Sequence, residues 1–181
     1  EGRLGAFVVV GSVPTAAIGY VFNDLFASIF DNLLIVGLGL LVTGVLLFVS
    51  QRREGEKTLS YLDVLLVGTM QGLAIIPGVS RSGVTISTGL LHGLDRDVAF
   101  RFSFLLSIPA VLGAAVMESG DFSMLMGEAD IVTVLLGVVV SMVVGYFSLR
   151  LLRSLLVRRK LHWFTPYCWV VGILLLVSQL T

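Results

Sequence analysis

Residues 71–85 read QGLAIIPGVSRSGVT, and they carry Arg81, the one basic residue that the chain places inside apolar sequence of hydrocarbon length. An arginine at the centre of a bilayer costs about 2.5 to 3.5 kcal/mol on insertion scales, so it implies a ligand, an ion path or a buried partner. Its neighbours favour a ligand. Pro77 and Gly78 break a helix, and Ser80, Ser82, Gly83 and Thr85 add hydroxyls and unshielded backbone on both sides of the guanidinium. If a helix restarts at about Ser82, its free N–H groups and positive dipole end point to the same place as Arg81. That combination suits an anion, phosphate above all. The alternative is structural: Arg81 pairs with a carboxylate on another helix, and the serines cap a broken one.

The whole chain agrees with a membrane setting. It is 56% hydrophobic and only 13% charged, with a mean hydropathy of +1.00, which describes a polytopic membrane protein rather than a soluble domain, and no nucleic-acid partner is expected. The single cysteine, Cys168, lies in an apolar run, so no internal disulfide can form and a packed thiol is expected. The chain opens on Glu1 directly into apolar sequence, from which upstream sequence is expected to have been removed or left out.

Around the central stretch the predicted elements are all helical. Residues 4–22 form a span containing Pro14, residues 23–32 a short loop, and residues 33–50 a second span of roughly 27 Å. QRREGEKTLS, residues 51–60, is a charged linker. Residues 61–91 follow, with the PGVSRSG break in their middle; each arm of about 15 residues reaches about 22 Å as helix, short of the roughly 30 Å hydrocarbon core. A re-entrant helical hairpin fits that length. Spans at 98–117, 131–149 and 163–180 complete the chain, separated by an acidic loop (118–130) and a basic stretch (150–162).

Charge placement tests the hairpin, because basic residues gather in cytoplasmic loops. Loops 23–32 and 118–130 carry Asp24, Asp31, Glu118, Asp121, Glu128 and Asp130 and no base. Arg52, Arg53 and Lys57 lie in the linker, and Arg150, Arg153, Arg158, Arg159 and Lys160 follow the 131–149 span. A single crossing by residues 61–91 would put these two basic groups on opposite sides. Re-entry puts both in the cytoplasm and both acidic loops outside.

Other residues read as structure first. Gly68 and Gly72, then Thr85, Gly89 and Gly93, then Gly137, Ser141 and Gly145 have the small-xxx-small spacing of close helix packing in lipid. Trp163, Tyr167 and Trp169 look like an interfacial aromatic belt. His92 and His162 are expected to be solvated loop residues, Asp63 to pair with Lys57 or a nearby loop, and Arg101 to snorkel to the interface. Gln71 either orients a ligand or bonds to the broken backbone. No His, Cys, Asp or Glu cluster has metal-ligand spacing.

QGLAIIPGVSRSGVTISTGLLHGL (71–94) followed by FRFSFLLSIPAVLGA (100–114) closely resembles the undecaprenyl-diphosphatase family of bacitracin-resistance type, and the PG-x-SRS-x-x-T core is specific to it. GRLGAFVVVGSVPTAAIGYVFNDLF (2–26) is also similar to that family's segment before its linker. The resemblance implies a multi-pass enzyme of the cell membrane that hydrolyses undecaprenyl diphosphate to the monophosphate and phosphate, recycling the lipid carrier of cell-wall synthesis. It implies two interlocked inverted repeats, each with a re-entrant hairpin: residues 1–50 would end the first repeat and residues 61–181 form the second. Catalytic roles would fall on Ser80, Arg81 and Thr85, and substrate-binding roles on Gly78, Ser82, Gly83 and Gln71. The family's E-G-x-x-E-F-x-P-V-S-S segment would precede Glu1. Ligands for Mg²⁺ or Ca²⁺ are expected there, so this chain alone is expected to be inactive. The implied partners are a polyprenyl diphosphate lipid and the bilayer, with a homodimer among the arrangements left open. A transporter or flippase for a phosphorylated lipid or small anion is the rival, since broken helices and midplane anion sites serve transport too.

Overall fold

The computed structural model describes residues 2–53, 55–117 and 131–179. These residues are helical almost throughout, and five helices are long and apolar enough to cross a membrane. Those five are α1 (Gly2–Val21), α3 (Leu33–Ser50), α6 (Arg96–Met117), α7 (Ile131–Val157) and, with the 3₁₀ turn Leu161–Trp163 before it, α8 (Phe164–Ser178). Three differences from expectation have local causes. The 23–32 loop contains a short helix, α2 (Asn23–Ile29), before Asn32 caps α3 by accepting from Leu34 N and Ile35 N. α6 starts at Arg96 because the Asp95 carboxylate accepts from the N–H groups of Asp97 and Val98. α7 runs through most of the basic stretch, since Arg, Leu and Ser continue a helix readily, and it stops only where Arg159 turns left-handed at φ 58°. The 118–130 loop lies outside the described residues.

Of the two short helices, α4 (Tyr61–Leu73) buries one face, with Leu62, Leu65 and Leu66 exposed on the other, while α5 (Arg81–Leu91) lies in the interior. α4 lies parallel to α1, with Phe7 edge-on to Tyr61 and Gly19 beside Ile75. Between those points the small residues do what their spacing suggests: a side chain on Gly68 would collide with the Gly11 carbonyl, and one on Gly72 would press into Ile18 at 2.8 Å. α5 is the most enclosed helix, with Gly83 through Leu90 all buried between α3, α4 and α6. Two of its hydroxyls are paired across helices: Ser87 meets Ser50 of α3 at 2.9 Å, and Thr85 meets Ser103 of α6.

α3 packs antiparallel to α8, with Gly37 against Gly172 and Leu176, and Gly44 against Trp169. Cys168 is buried in that seam. α7 contrasts with them. Most of its apolar side chains are exposed, with Leu156 buried and Val134, Leu152 and Leu155 partly so, and a Cβ on Gly137 or Gly145 would meet nothing within 4 Å, so the 137/141/145 ridge has no partner among the described residues. Gly93 is likewise a turn residue at φ +83° rather than part of a packed ridge.

One end of the bundle is tied by polar contacts. The Arg96 guanidinium donates to the carbonyls of Gln51 and Arg53 after α3, and to Leu156 near the end of α7. Asp97 binds Arg101 at 2.6 Å and Arg153 at 2.7 Å. Lys57 pairs with the backbone of Gly93 and Asp95, so linker and hairpin end meet there as well. Asp63, fully buried in the first turn of α4, collects Lys57 Nζ at 2.7 Å, His92 Nδ1 at 2.9 Å and the Ser60 N–H at 2.9 Å. His92 is therefore held by a carboxylate rather than merely solvated. His162 also departs from expectation, being half-buried with Nδ1 enclosed and unpaired among the described residues. The belt residues Trp163 and Tyr167 are exposed at this same end, with Lys160 over the Trp163 ring at 4.6 Å.

Candidate active site

Leu73 ends α4 because Pro77 and Gly78 lie just beyond, and the chain turns through residues 74–80 before α5 begins. Gly78 takes φ +84°, which a glycine adopts without strain. A side chain there would also collide with the Val36 carbonyl, so the turn lies flat on α3. Gly39 is its seat, where an added Cβ would be 2.6 Å from the Pro77 oxygen. One turn further, Thr43 Oγ1 accepts from Ser80 N at 3.0 Å and donates to Gly78 O at 3.5 Å. Gly39 is six residues from Leu33 and eleven from Ser50, or about 9 Å and 16 Å along the helix. Gly19, beside Ile75, is two residues from the end of α1. The turn therefore sits nearer the acidic-loop end of the bundle than the end holding Arg96 and Lys57.

α5 starts at this turn with its dipole directed toward it. Ser80 is the N-cap: its side chain accepts from Gly83 N at 3.1 Å and its carbonyl accepts from Val84 N. The N–H groups of Arg81 and Ser82 have no hydrogen-bond partner among the described residues. Beside this helix start is a cavity of about 440 Å³ lined by Arg81, Ser82 and Thr85 of α5, by Ser103, Phe104, Ser107 and Val111 of α6, and by Ala74 and Val79 of the turn. The Arg81 side chain is half-buried and makes no ion pair or hydrogen bond among the described residues. One cationic residue and four hydroxyl residues thus line a space at the start of a helix, and its other walls are apolar. Such a set can hold an anion with an apolar tail.

The sequence-derived residues divide at this point. Arg81, Ser82 and Thr85 line the cavity together, while Ser80 is exposed at the cap, and Gly78 and Gly83 shape the backbone. Gln71 lies elsewhere. It is 1% exposed, and its Nε2 donates to Leu106 O at 3.2 Å and reaches Thr15 Oγ1 at 3.4 Å, bridging α4 to α6 and α1 rather than bonding to the broken turn. Ser103 and Ser107 were not singled out by the sequence. Their i, i+4 spacing puts both hydroxyls on one face of α6, and that pattern in an apolar span was the available signal. Thr43 gave none, being one hydroxyl in a clean span.

A divalent cation needs oxygen ligands, carboxylates foremost. The lining offers hydroxyls beside a guanidinium and no carboxylate, and no group of three or more His, Cys, Asp or Glu side chains among the described residues could hold a metal. These residues by themselves do not fit Mg²⁺ or Ca²⁺.

The sequence model of the family described as bacitracin resistance protein BacA matches residues 1–174. Similar curated proteins carry the name undecaprenyl-diphosphatase. The one from Carboxydothermus hydrogenoformans is 41% identical over 98% of this chain and 71% of its own length. That from Alkaliphilus metalliredigens is 39% identical over 98% of this chain, which spans 66% of the relative. The relative from Methanothermobacter thermautotrophicus is 43% identical, with 96% of this chain and 99% of its own length covered. With its five candidate membrane-spanning helices and this extent of identity, the chain belongs to the bacitracin resistance protein BacA family of integral membrane proteins.

Proposed function

We propose that the protein hydrolyses undecaprenyl diphosphate to undecaprenyl phosphate and phosphate, with the diphosphate in the Arg81 cavity. The observation that carries this reading is an intramembrane arginine with no ion-pair partner among the described residues, set beside four hydroxyls and the start of a buried helix. A guanidinium left half-buried without a carboxylate is costly unless an anion takes that place. Its fork grips two phosphate oxygens, and the Arg81 and Ser82 N–H groups donate to the same anion. These donors also stabilise charge that grows on the transferred phosphoryl group as the P–O bond to the leaving phosphate breaks. Phe104, Val111, Ala74 and Val79 suit the first prenyl carbons.

α4 and α5 are read as a re-entrant hairpin, of about 20 and 17 Å, that enters and leaves on the basic side. The Arg96 and Lys57 contacts at one end, and the turn beside Gly39 near the other, support that arrangement. On it, the cavity opens in the outer half of the membrane. Assignment of residues 61–181 to the second of two inverted repeats belongs to the same reading and is supported by family membership. The lining contains no carboxylate and no histidine, so the base for an attacking water or serine, and any Mg²⁺ or Ca²⁺, must come from outside it. On that ground the chain alone is proposed to be inactive or nearly so.

Phosphate release from a detergent-solubilised prenyl diphosphate tests the function, measured with and without EDTA on this chain and on a version extended upstream of Glu1 with a relative's segment. Release by either protein, lost on Arg81→Ala, supports the phosphatase. Uptake of the lipid phosphate into vesicles without release would replace it with a carrier.

A further inference from the structure

Thr85 Oγ1 has three neighbours able to take or give a proton: the carbonyls of Arg81 at 2.9 Å and Ser82 at 3.3 Å in its own helix, and Ser103 Oγ of α6 at 2.5 Å. A hydroxyl has one proton to donate. If Thr85 gives it to the Arg81 carbonyl, Ser103 must donate to Thr85, and both oxygens then show only lone pairs to the cavity. If Thr85 donates to Ser103, the Ser103 proton is released toward the cavity. An anion there stabilises only the second arrangement, so binding selects it.

Ser103 is suited to this in a way its neighbours are not. Ser107, one turn further on α6, commits its proton to the Phe104 carbonyl at 2.7 Å. Ser103 makes no such bond within its own helix; its hydroxyl meets only Thr85 among the described residues. It is 2% exposed yet lines the same cavity as Arg81, so a hydrogen bond there forms with little competition from water. Resting on the phosphate reading above, we infer that Ser103 and Thr85 form a two-hydroxyl relay in which Thr85 positions Ser103 and Ser103 donates to the bound phosphate.

The test is binding of farnesyl methylenediphosphonate, a non-hydrolysable probe, and of neutral farnesol, to the purified full chain in detergent, with phosphate release from farnesyl diphosphate measured alongside on this chain and on the version extended upstream of Glu1. Ser103→Ala is expected to weaken diphosphonate binding about tenfold or more while leaving farnesol unchanged. Thr85→Val is expected to cause a smaller loss, because Ser103 keeps its proton and loses only its orienting donor, and Thr85→Ser should restore binding. The double variant should match Ser103→Ala alone, since both changes act through one proton. If Ser103→Ala also loses farnesol, Ser103→Cys, close in shape with a weak donor, must show the selective loss instead. Diphosphonate binding by Ser103→Ala within twofold of the parent, a larger loss in Thr85→Val, or losses that multiply in the double variant overturn the relay. Probe binding with no phosphate release by this chain or by the version extended upstream of Glu1 overturns the phosphatase reading and leaves the relay to be decided by the binding arms. Failure of the parent to bind the probe overturns both.

Discussion

Thr43 holds Ser80 in place: its hydroxyl, 1% exposed on α3, accepts the Ser80 N–H at 3.0 Å and so anchors the residue that caps α5. A threonine thirty-seven positions upstream thus fixes where the Arg81 helix begins. Thr43→Val keeps the shape and strands that N–H, at a cost of about 1–3 kcal/mol. A lower melting temperature and weaker farnesyl methylenediphosphonate binding are expected, although Thr43 does not line the cavity. Unchanged binding would show that the cap holds without it.

Arg81→Lys tests the fork. Lysine keeps the charge as a point and cannot grip two oxygens in one plane, so phosphate release by an active form should fall roughly a hundredfold or more. Hydrolysis within threefold of the parent would mean that charge alone suffices.

Asp63 predicts an acid limit on hairpin stability. Burial pushes its carboxyl up, but the hydrogen bonds from Lys57, the Ser60 hydroxyl, His92 and the Ser60 N–H together outweigh it and hold the pKa at about 2, below the ordinary 3.8. A pKa lowered by folding contributes stability that is fully present above about pH 4 and is lost as pH falls through about 2. The difference corresponds to roughly 2 kcal/mol. Thermal melts from pH 6 to pH 2 should show this loss in the parent, and Asp63→Asn should be less stable at pH 6 and flatter below pH 4. Parallel curves for the two would refute the assignment.

Two glycines of similar sequence context should behave oppositely. Gly68→Ala forces α1 and α4 apart, because its Cβ would strike the Gly11 carbonyl, and at least 2 kcal/mol of destabilisation is expected, as for other overpacked contacts. Gly145→Ala meets nothing within 4 Å and should be neutral or stabilising by up to about 1 kcal/mol. A loss at Gly145 as large as at Gly68 would show that α7 packs against a surface the described contacts do not include.

Much of the fold was legible because lipid imposes simple rules on sequence. Continuous apolar runs revealed five spans, and the helix breakers at Pro77 and Gly78 located the turn before α5. Arg81 stood out because a charge in such sequence is expensive. The boundaries were less legible. α7 ran on into basic sequence because charged residues at a membrane edge do not stop a helix, and α2 formed in a segment too short for periodicity to show.

By itself the sequence determined the membrane class and the helical segments and singled out residues 78–85 as the candidate anion site, since each follows from local composition and spacing. Only the tertiary structure decided which partners completed the cavity. Ser103 and Ser107 come from α6, the turn rests on Gly39 and Thr43 of α3, and Gln71 is drawn away to bridge α1 and α6. Side-chain chemistry is local to the chain, but a site is made by which helix faces meet, and that depends on close packing between segments far apart in sequence.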